Sequence, residues 1–181
     1  SMALPLLSVT HVHAYVGCDL SQPALDIAHK DLVDKGIRHQ CICDDMMKVA
    51  AEQSDDSIDL VLSSYALHHL NALQKKQIVR DISRILKPGG CFVLIDIFRE
   101  TEEDRSTYMR NYMSYLRKNW TNLSTNSQDL IVDHATEYDF PESNEFYTKL
   151  SHKCGFKNAE RIVQHTWHQA WIFHKPTTPT N

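Results

Sequence analysis

The stretch from Ser57 to Arg99 limits the possible folds more than any other part of this chain. Ile58 to Ser63 is a short run of aliphatic residues, which is typical of a buried strand. Between Ala72 and Leu86 the apolar residues recur every three or four positions, which indicates an amphipathic helix. Cys91 to Ile97 is a second apolar run of strand length. The order strand, helix, strand, with both strands apolar throughout, predicts a right-handed crossover in a parallel sheet.

The helix of this unit ends at a turn that the sequence marks clearly. Lys87, Pro88, Gly89 and Gly90 follow its last apolar residue. A cation suits the last turn of a helix, proline cannot continue it, and glycine accepts the left-handed backbone that closes it. We therefore expect the chain to turn sharply here and to enter the second strand directly.

Acidic residues follow two other strands that the sequence predicts. Ala14 to Cys18 is followed by Asp19, and Arg38 to Cys43 is followed by Asp44 and Asp45. In an open parallel sheet, ligands bind outside the carboxyl ends of the strands, where a carboxylate can accept hydrogen bonds from a ribose diol. The alternative is that these acids only cap the helices that follow them, as Asp often does.

The segments "DLVLSSYALHHL" and "ISRILKPGGCFVLIDIF", taken with these acidic strand ends, carry a family resemblance. They are similar to the fourth and fifth strands of the class I S-adenosylmethionine (SAM) dependent methyltransferases, above all the small-molecule branch. The resemblance extends from about Tyr15 to Lys175. It implies one α/β domain over residues 1–181, with a Rossmann-like, doubly wound, mostly parallel sheet and an antiparallel C-terminal strand.

The resemblance also implies SAM as the cofactor and S-adenosylhomocysteine as the product. The acid after the first predicted strand would hold the ribose, and the acidic pair would accept from the adenine amino group. Neighbouring apolar residues would pack on the adenine, and the loop after the fourth strand of the family would lie under the methionine part. The cofactor-binding residues implied in this way are Asp19, Leu20, Asp44, Asp45, Met46, Ser64 and Tyr65.

Two histidines are candidates for the chemistry. His69 lies in the loop that the resemblance places beside the acceptor, where it could accept a proton or orient the substrate because histidine titrates near neutrality. His134 is the second candidate. The alternative is structural, with one histidine of the loop bonded within it and the other on the surface, and this reading is favoured for His68.

Composition argues against several classes of partner. The formal charge of −4 and pI near 6.2 give no general attraction to nucleic acid or to acidic membranes, so a small-molecule acceptor is expected. No apolar run reaches the roughly 18 residues that a membrane-spanning helix needs. The odd number of cysteines, five, indicates free thiols and a cytoplasmic setting. No metal is expected at His11, His13, His68 or His69, because no cysteine or carboxylate recurs at ligand spacing.

Residues 99–140 predict a helical insertion after the fifth strand of the family pattern. Thr101 to Lys118 and Gln128 to Tyr138 are its helical parts, and the first carries a broad aromatic and methionine stripe. The resemblance implies that such an insertion builds the acceptor pocket or a lid, with Arg99, Tyr108 and Tyr112 on the acceptor side. A helical hairpin packed on the sheet edge is the alternative, since aromatic residues more often fill cores.

The C-terminal part returns to sheet structure. A helix is predicted from Glu142 to Cys154, followed by strands at Ala159 to His165 and Trp167 to His174. The short connection between these strands predicts an antiparallel pair. Residues 175–181 are rich in Thr and Pro and are expected to form a flexible tail.

One element of the family pattern is not found. The five glycines, at 17, 36, 89, 90 and 155, form no glycine-rich loop after a first strand. The chain is therefore interpreted as N-terminally truncated, with Ala3 to Leu7 as the remnant of a helix. If the central strand is missing, its exposed neighbours would favour pairing between copies of the chain, so a homo-oligomer is one expectation.

Three functions remain open at this point. The first is methyl transfer from SAM to a small molecule by in-line displacement. The second is a non-catalytic binding or assembly module of the same architecture, which the absent glycine loop favours. The third is a nicotinamide-dependent oxidoreductase using Asp19, although the sequence has neither the Gly-x-Gly-x-x-Gly motif nor a Tyr-x-x-x-Lys pair.

Overall fold

The computed structural model describes residues 12–177, and the chain divides into two compact units, residues 1–57 and 58–181. Each unit is described by itself. The apolar segment from Ala3 to Leu7, His11, and the last four residues of the expected tail lie outside the described residues. No helix within residues 12–177 combines the length and the apolar character needed to cross a membrane.

The first unit is a strand, helix, strand, helix arrangement. Its elements are β1 (Ala14–Asp19), α1 (Gln22–Asp34), β2 (Arg38–Cys43) and α2 (Met46–Glu52). β1 and β2 are parallel, with Asp19 opposite Cys43 in the register. The two acidic strand ends predicted from the sequence therefore lie at the same edge of this sheet, as expected for parallel neighbours.

The second unit contains the predicted crossover and the helical insertion. In chain order its elements are β3 (Ile58–Ser64), a 3₁₀ turn (Leu67–His69), α3 (Ala72–Ile85), β4 (Leu86–Arg99), α4 (Arg105–Asn119), α5 (Thr125–Tyr138), β5 (Glu142–Ser143), α6 (Asn144–Lys153), β6 (Asn158–His165) and β7 (His168–His174). The strand order is β3-β4-β7-β6, and β5 pairs with β4. β3 and β5 are parallel to β4, whereas β7 is antiparallel to both β4 and β6. The predicted α/β class, with its antiparallel C-terminal strands, is confirmed.

The Lys-Pro-Gly-Gly turn is built into β4 rather than placed before it. Leu86 pairs with Ile58 and Cys91 pairs with Leu60, so residues 87–90 form a bulge between two points of the same ladder. Gly89 has a φ of +80°, which a side chain would strain. At Gly90 an added Cβ would lie 2.9 Å from two backbone oxygens. The strand therefore begins earlier than the predicted Cys91, because the turn is absorbed as a bulge.

Three helix starts also differ from the prediction, and capping explains each. α5 begins at Thr125 rather than Gln128, since Ser124 accepts from the Ser127 amide at 3.1 Å. α4 begins at Arg105 rather than Thr101, since Asp104 accepts a hydrogen bond from the Thr107 amide at 2.7 Å. α6 begins two residues after Glu142, which belongs to β5, and Ser143 caps it by accepting from the Phe146 amide at 3.1 Å. In each case the polar side chain that accepts a hydrogen bond from the first turn determines where the helix begins.

Candidate functional site

The loop after β3 is held in a defined conformation at the carboxyl ends of β3 and β4. The Tyr65 amide donates to the Ile95 carbonyl at 2.8 Å, which extends the parallel ladder by one bond. Tyr65 itself has a φ of +50°, a left-handed backbone that is strained for a tyrosine. Asn71 then caps α3, with Gln74 completing a capping box. The strained turn brings the histidine pair that follows it over the end of β4.

His68 is buried and bonded to a carboxylate at the end of β4. Its Nδ1 lies 2.5 Å from Asp96 Oδ1, and its backbone amide donates to Asp96 Oδ2 at 3.2 Å. Because the carboxylate only accepts, Nδ1 carries the proton in this pair, which fixes the orientation of the ring. The favoured expectation for His68 was a structural bond within the loop; its observed partner lies on a different element, and the ring is 7% exposed.

The second carboxylate of the site comes from the end of the helical insertion. Asp139 follows α5, and its amide donates to the Ala135 carbonyl at 3.0 Å. The Arg105 side chain, at the start of α4, donates to the carbonyl of Asp139 at 2.7 Å and also contacts the Phe140 ring. A cation at the carboxyl end of a helix is favourable, so Arg105 stabilises the position of Asp139.

His69 and His134 come together beside this carboxylate. His69 Nδ1 lies 3.2 Å from Asp139 Oδ1, and His68 Nε2 lies 3.6 Å from the same oxygen. The rings of His69 and His134 are 5.6 Å apart between centroids. The two histidines named from the sequence are thus neighbours, and His69 is the more accessible of the loop pair, with 40% of its side chain exposed. Their roles stay predictions.

The surroundings shift the pKa values of His68, His69 and Asp139 in different directions. Burial alone lowers the pKa of His68, but its hydrogen bond to Asp96 and the charges of Asp96 and Asp139 outweigh burial and raise it. The pKa of His69 is lowered by burial and by the charge of His68. Burial raises the pKa of Asp139, against the opposing effect of the histidines. The pKa values of the two neighbouring histidines are therefore shifted in opposite directions.

A buried lysine connects the histidine loop to the segment after α5. Lys75 is 0% exposed, and its ammonium donates to the carbonyls of Leu70 and, at 2.6 Å, Phe140. The Phe140 amide donates in turn to the His68 carbonyl at 2.7 Å. These bonds join the two segments that carry the histidines and Asp139.

The burial of Lys75 predicts that the free energy of unfolding rises with pH in the alkaline range. Burial lowers the pKa of Lys75 to about 8. Between pH 8 and 10 the unfolded chain then binds more protons at this residue than the folded chain, so the free energy of unfolding rises with pH, by about 1 to 2 kcal/mol. Urea unfolding of the wild type and of Lys75→Met over this range would measure the contribution. Lys76→Met, at an exposed neighbour, should keep the wild-type slope, and equal slopes in all three proteins would contradict the prediction.

In the first unit, the acids at the strand ends have separate local partners. Asp19 is exposed and accepts from the Ser21 amide at 2.8 Å. Asp45 caps α2 by accepting from the Met47 amide at 2.6 Å, which is the capping alternative raised above. Asp44 pairs with Lys48 at 2.5 Å, and this pairing lowers the pKa of Asp44. Asp19 is thus the acid of the three that helix capping explains least.

The other expected cofactor residues lie at the ends of strands or shortly after them. In the first unit Leu20 is 76% exposed and Met46 is half-buried. In the second unit Ser64 ends β3, and its hydroxyl is a buried polar atom without a hydrogen-bond partner among the described residues. The Tyr65 hydroxyl lies 3.2 Å from His168 Nδ1. An exposed leucine suits contact with a planar ring, and a buried hydroxyl without a partner suits a polar ligand.

The expected acceptor residues lie in two different environments. Tyr108 and Tyr112 are 0% and 7% exposed and pack with Ile97 in a core cluster. Arg99 instead lines an open cleft of about 590 Å³ between the start of α3 and residues 99–105 and 140–142. Its guanidinium bonds Glu142 at 3.0 Å. The structure therefore separates Arg99 from the two tyrosines.

Sequence reasoning missed three members of the cluster. A structural reading is favoured for His68 from the sequence, and neither Asp96 nor Asp139 is named there as a site residue. Asp96 lies within the predicted strand Cys91 to Ile97, one residue before its end, so an acidic residue near a strand end was the available signal. Asp139 carries no such signal, since its position depends on how the insertion folds back.

Comparisons with known proteins agree on the family. Residues 1–90 match a protein family described as a methyltransferase domain. The chain is 28% identical over 137 residues to a tRNA (carboxymethyluridine(34)-5-O)-methyltransferase of Arabidopsis thaliana, covering 74% of this chain and 30% of that protein. It is 39% identical over 64 residues to a dimethylglycine N-methyltransferase of Parasynechococcus marenigrum, covering 35% and 22%. The chain thus spans less than a third of either relative.

A solved structure of similar fold is a SAM-dependent methyltransferase from Archaeoglobus fulgidus. The TM-score is 0.62 at 9% sequence identity, and the alignment covers 96% of this chain and 91% of that one. At this identity the likeness concerns the fold alone.

Proposed function

We propose that this chain is a class I SAM-dependent methyltransferase and that it transfers the methyl group of SAM to a small-molecule acceptor; the match of residues 1–90 to a methyltransferase domain supports this. The observation that carries the proposal is the cluster of His68, His69 and Asp139 beside the carboxyl ends of β3 and β4, where ligands bind in open α/β sheets. The reaction is an in-line displacement at a sulfonium, so the protein mainly aligns the acceptor with the methyl group and excludes water.

SAM would supply the activated methyl group, and the residues that the resemblance implies would hold it. Asp19 would accept hydrogen bonds from the ribose hydroxyls, since its exposed carboxylate caps no helix. Leu20 and Met46 would pack on the adenine, and Asp45 or Asp44 would accept from its amino group. Ser64 and Tyr65 would contact the methionine part, and the buried hydroxyl of Ser64 supports this assignment because it has no bond among the described residues.

The acceptor is proposed to be small and uncharged or zwitterionic. The cleft lined by Arg99 has a volume within the range of small-molecule sites, and it presents both cations and carboxylates. Tyr108 and Tyr112 would act on the acceptor side indirectly, since their rings are buried and support the end of β4. A tRNA acceptor, as in the Arabidopsis relative, is the alternative, and the net charge of −4 disfavours it.

When the acceptor carries a proton, His69 is the group proposed to take it, and His134 is second. We expect His69→Gln to lower kcat by about tenfold or more while leaving the affinity for SAM unchanged, because a general base acts only in the chemical step. The measurement is S-adenosylhomocysteine release with a panel of hydroxyl, amine and thiol acceptors. His152→Gln, at an exposed histidine of α6, is the matched control. Equal rates in both variants would remove His69 from the chemistry.

The function itself is tested by calorimetric titration with SAM and with NADH. Saturable binding of SAM followed by S-adenosylhomocysteine release supports methyl transfer. Binding of neither compound supports the non-catalytic module, and binding of NADH alone supports an oxidoreductase. Methyl incorporation into total tRNA but into none of the small acceptors would favour the nucleic-acid alternative.

The cytoplasm is the compartment we propose. All five cysteines are free thiols, and Cys43 is exposed, which suits a reducing environment. A homo-oligomer remains a prediction from the sequence, and size-exclusion chromatography with light scattering would test it.

A further inference from the structure

Three side chains of the histidine cluster direct donor atoms at a common space. One potential ligand atom from each of His68, His69 and Asp139 lies within 4.8 Å of the other two. Asp139 Oδ1 lies 3.6 Å from His68 Nε2 and 3.2 Å from His69 Nδ1. Two ligands of a tetrahedral zinc ion, at bonds of about 2.0 to 2.1 Å, are separated by roughly 3.3 Å. The observed separations from Asp139 bracket that value.

The carboxylate oxygen is an independent feature that favours a bound cation at this place. The side chain of Asp139 is 9% exposed, and its Oδ1 is a buried atom without a hydrogen-bond partner among the described residues. His69 Nδ1 lies close to this oxygen but not in hydrogen-bonding geometry. An orphaned buried carboxylate oxygen is costly, and a cation would offset that cost.

A second carboxylate prepares His68 as a ligand. Asp96 accepts from His68 Nδ1 at 2.5 Å, so the lone pair of Nε2 is directed at Asp139. Histidines that bind metals almost always donate their other ring N–H to such a partner, which fixes the tautomer and raises the basicity of the ligand. Asp96 is 1% exposed, and its location behind His68 corresponds to this outer-shell role.

We propose that His68, His69 and Asp139 bind one divalent transition-metal ion, with Zn²⁺ preferred. Two imidazoles and one carboxylate suit zinc and its neighbours rather than Mg²⁺, which prefers oxygen ligands. Three protein ligands leave a coordination position open, and the 40% exposed side chain of His69 gives the ion access from solvent. His69 Nδ1 also lies 3.3 Å from the Tyr138 carbonyl, a hydrogen bond that a bound ion would replace, and Nε2 would remain the nitrogen that takes a proton from the acceptor. The site forms within the second unit and does not depend on whether the chain transfers methyl groups.

The test is metal binding by the full chain after removal of metals with EDTA. Zn²⁺ is titrated in competition with a chromogenic chelator, and Co²⁺ is added separately to read the coordination from its visible absorption. We expect one ion per chain, with about 100-fold weaker binding in His69→Ala and in Asp139→Ala. Asp96→Asn should weaken binding by about 10- to 100-fold, as outer-shell changes do. Mg²⁺ should not compete.

His29→Ala is the matched control, because His29 Nδ1 lies 2.7 Å from His39 Nε2 in the first unit and forms the other close histidine pair. It should leave the affinity unchanged. Absence of stoichiometric Zn²⁺ binding by the folded wild type would overturn the proposal. Zn²⁺ binding that is lost in His29→Ala but kept in His69→Ala would also overturn it. Because His69 is exposed, His69→Ala should still fold, and circular dichroism would verify this. None of these readouts involves SAM, so failure here leaves the proposed reaction untouched.

Discussion

Asp96→Ala is expected to lower the free energy of unfolding by about 3 to 5 kcal/mol, because it removes the buried acceptor of three hydrogen bonds. The carboxylate is 1% exposed and bonds the ring and the amide of His68, and it also accepts from the Ile97 amide at 2.8 Å. Its loss leaves the buried imidazole and the two amides without this acceptor. Urea denaturation followed by circular dichroism would measure the change.

Asp59 provides the comparison for this experiment. It lies on β3 and pairs with Lys87 at 2.8 Å, but its side chain is 82% exposed. Asp59→Ala should therefore change the free energy of unfolding by less than about 1 kcal/mol. If the two variants were equally stable, Asp96 could not be the residue that holds the histidine loop on β4.

Asp19→Ala is expected to weaken SAM binding by about 1 to 3 kcal/mol, or roughly 5- to 150-fold, because the ribose hydroxyls would lose their acceptor. Among the residues that the structure describes, Asp19 accepts from the Ser21 amide, and this bond is at the surface, so the fold should survive the change. Calorimetric titration with SAM measures the loss directly.

Asp26→Ala is the matched control for Asp19. Asp26 is also exposed, lies in the same unit and bonds the Gln22 side chain at 2.8 Å, but it lies within α1 and away from the strand ends. Its replacement should leave the affinity for SAM as in the wild type. An unchanged affinity in Asp19→Ala would refute the placement of the ribose at the end of β1.

The elements of the fold were predictable because each is encoded locally. Short stretches of sequence are enough to identify the apolar runs of β3 and β4, the periodicity of α3 and the turn residues after it. β2 begins and ends where predicted. The errors lie at boundaries, where one cap such as Asp104 shifts a helix start by several residues. The bulge in β4 could not be foreseen, since it depends on the register with β3.

The site was predictable only in part, because half of it is assembled by tertiary structure. His69 and His134 could be named from residue type and from the resemblance, and the fold brings their rings together. Asp139 could not be named, since nothing near it in the sequence distinguishes it from any other surface acid. Its burial results from the return of α5 to the histidine loop, fixed by Arg105 and Lys75.

Main-chain hydrogen bonds attach Phe140 to the histidine loop, and this bears on how the preference for an acceptor could change between related proteins. The amide of Phe140 donates to the His68 carbonyl and its carbonyl accepts from Lys75, so main-chain atoms determine the position. Most residue types supply those same atoms. The outer surfaces of α4 and α5 can therefore change in sequence without moving Asp139 away from the histidines. If these helices shape the acceptor site, as the resemblance implies, acceptor preference can diverge while the arrangement of His68, His69 and Asp139 is kept.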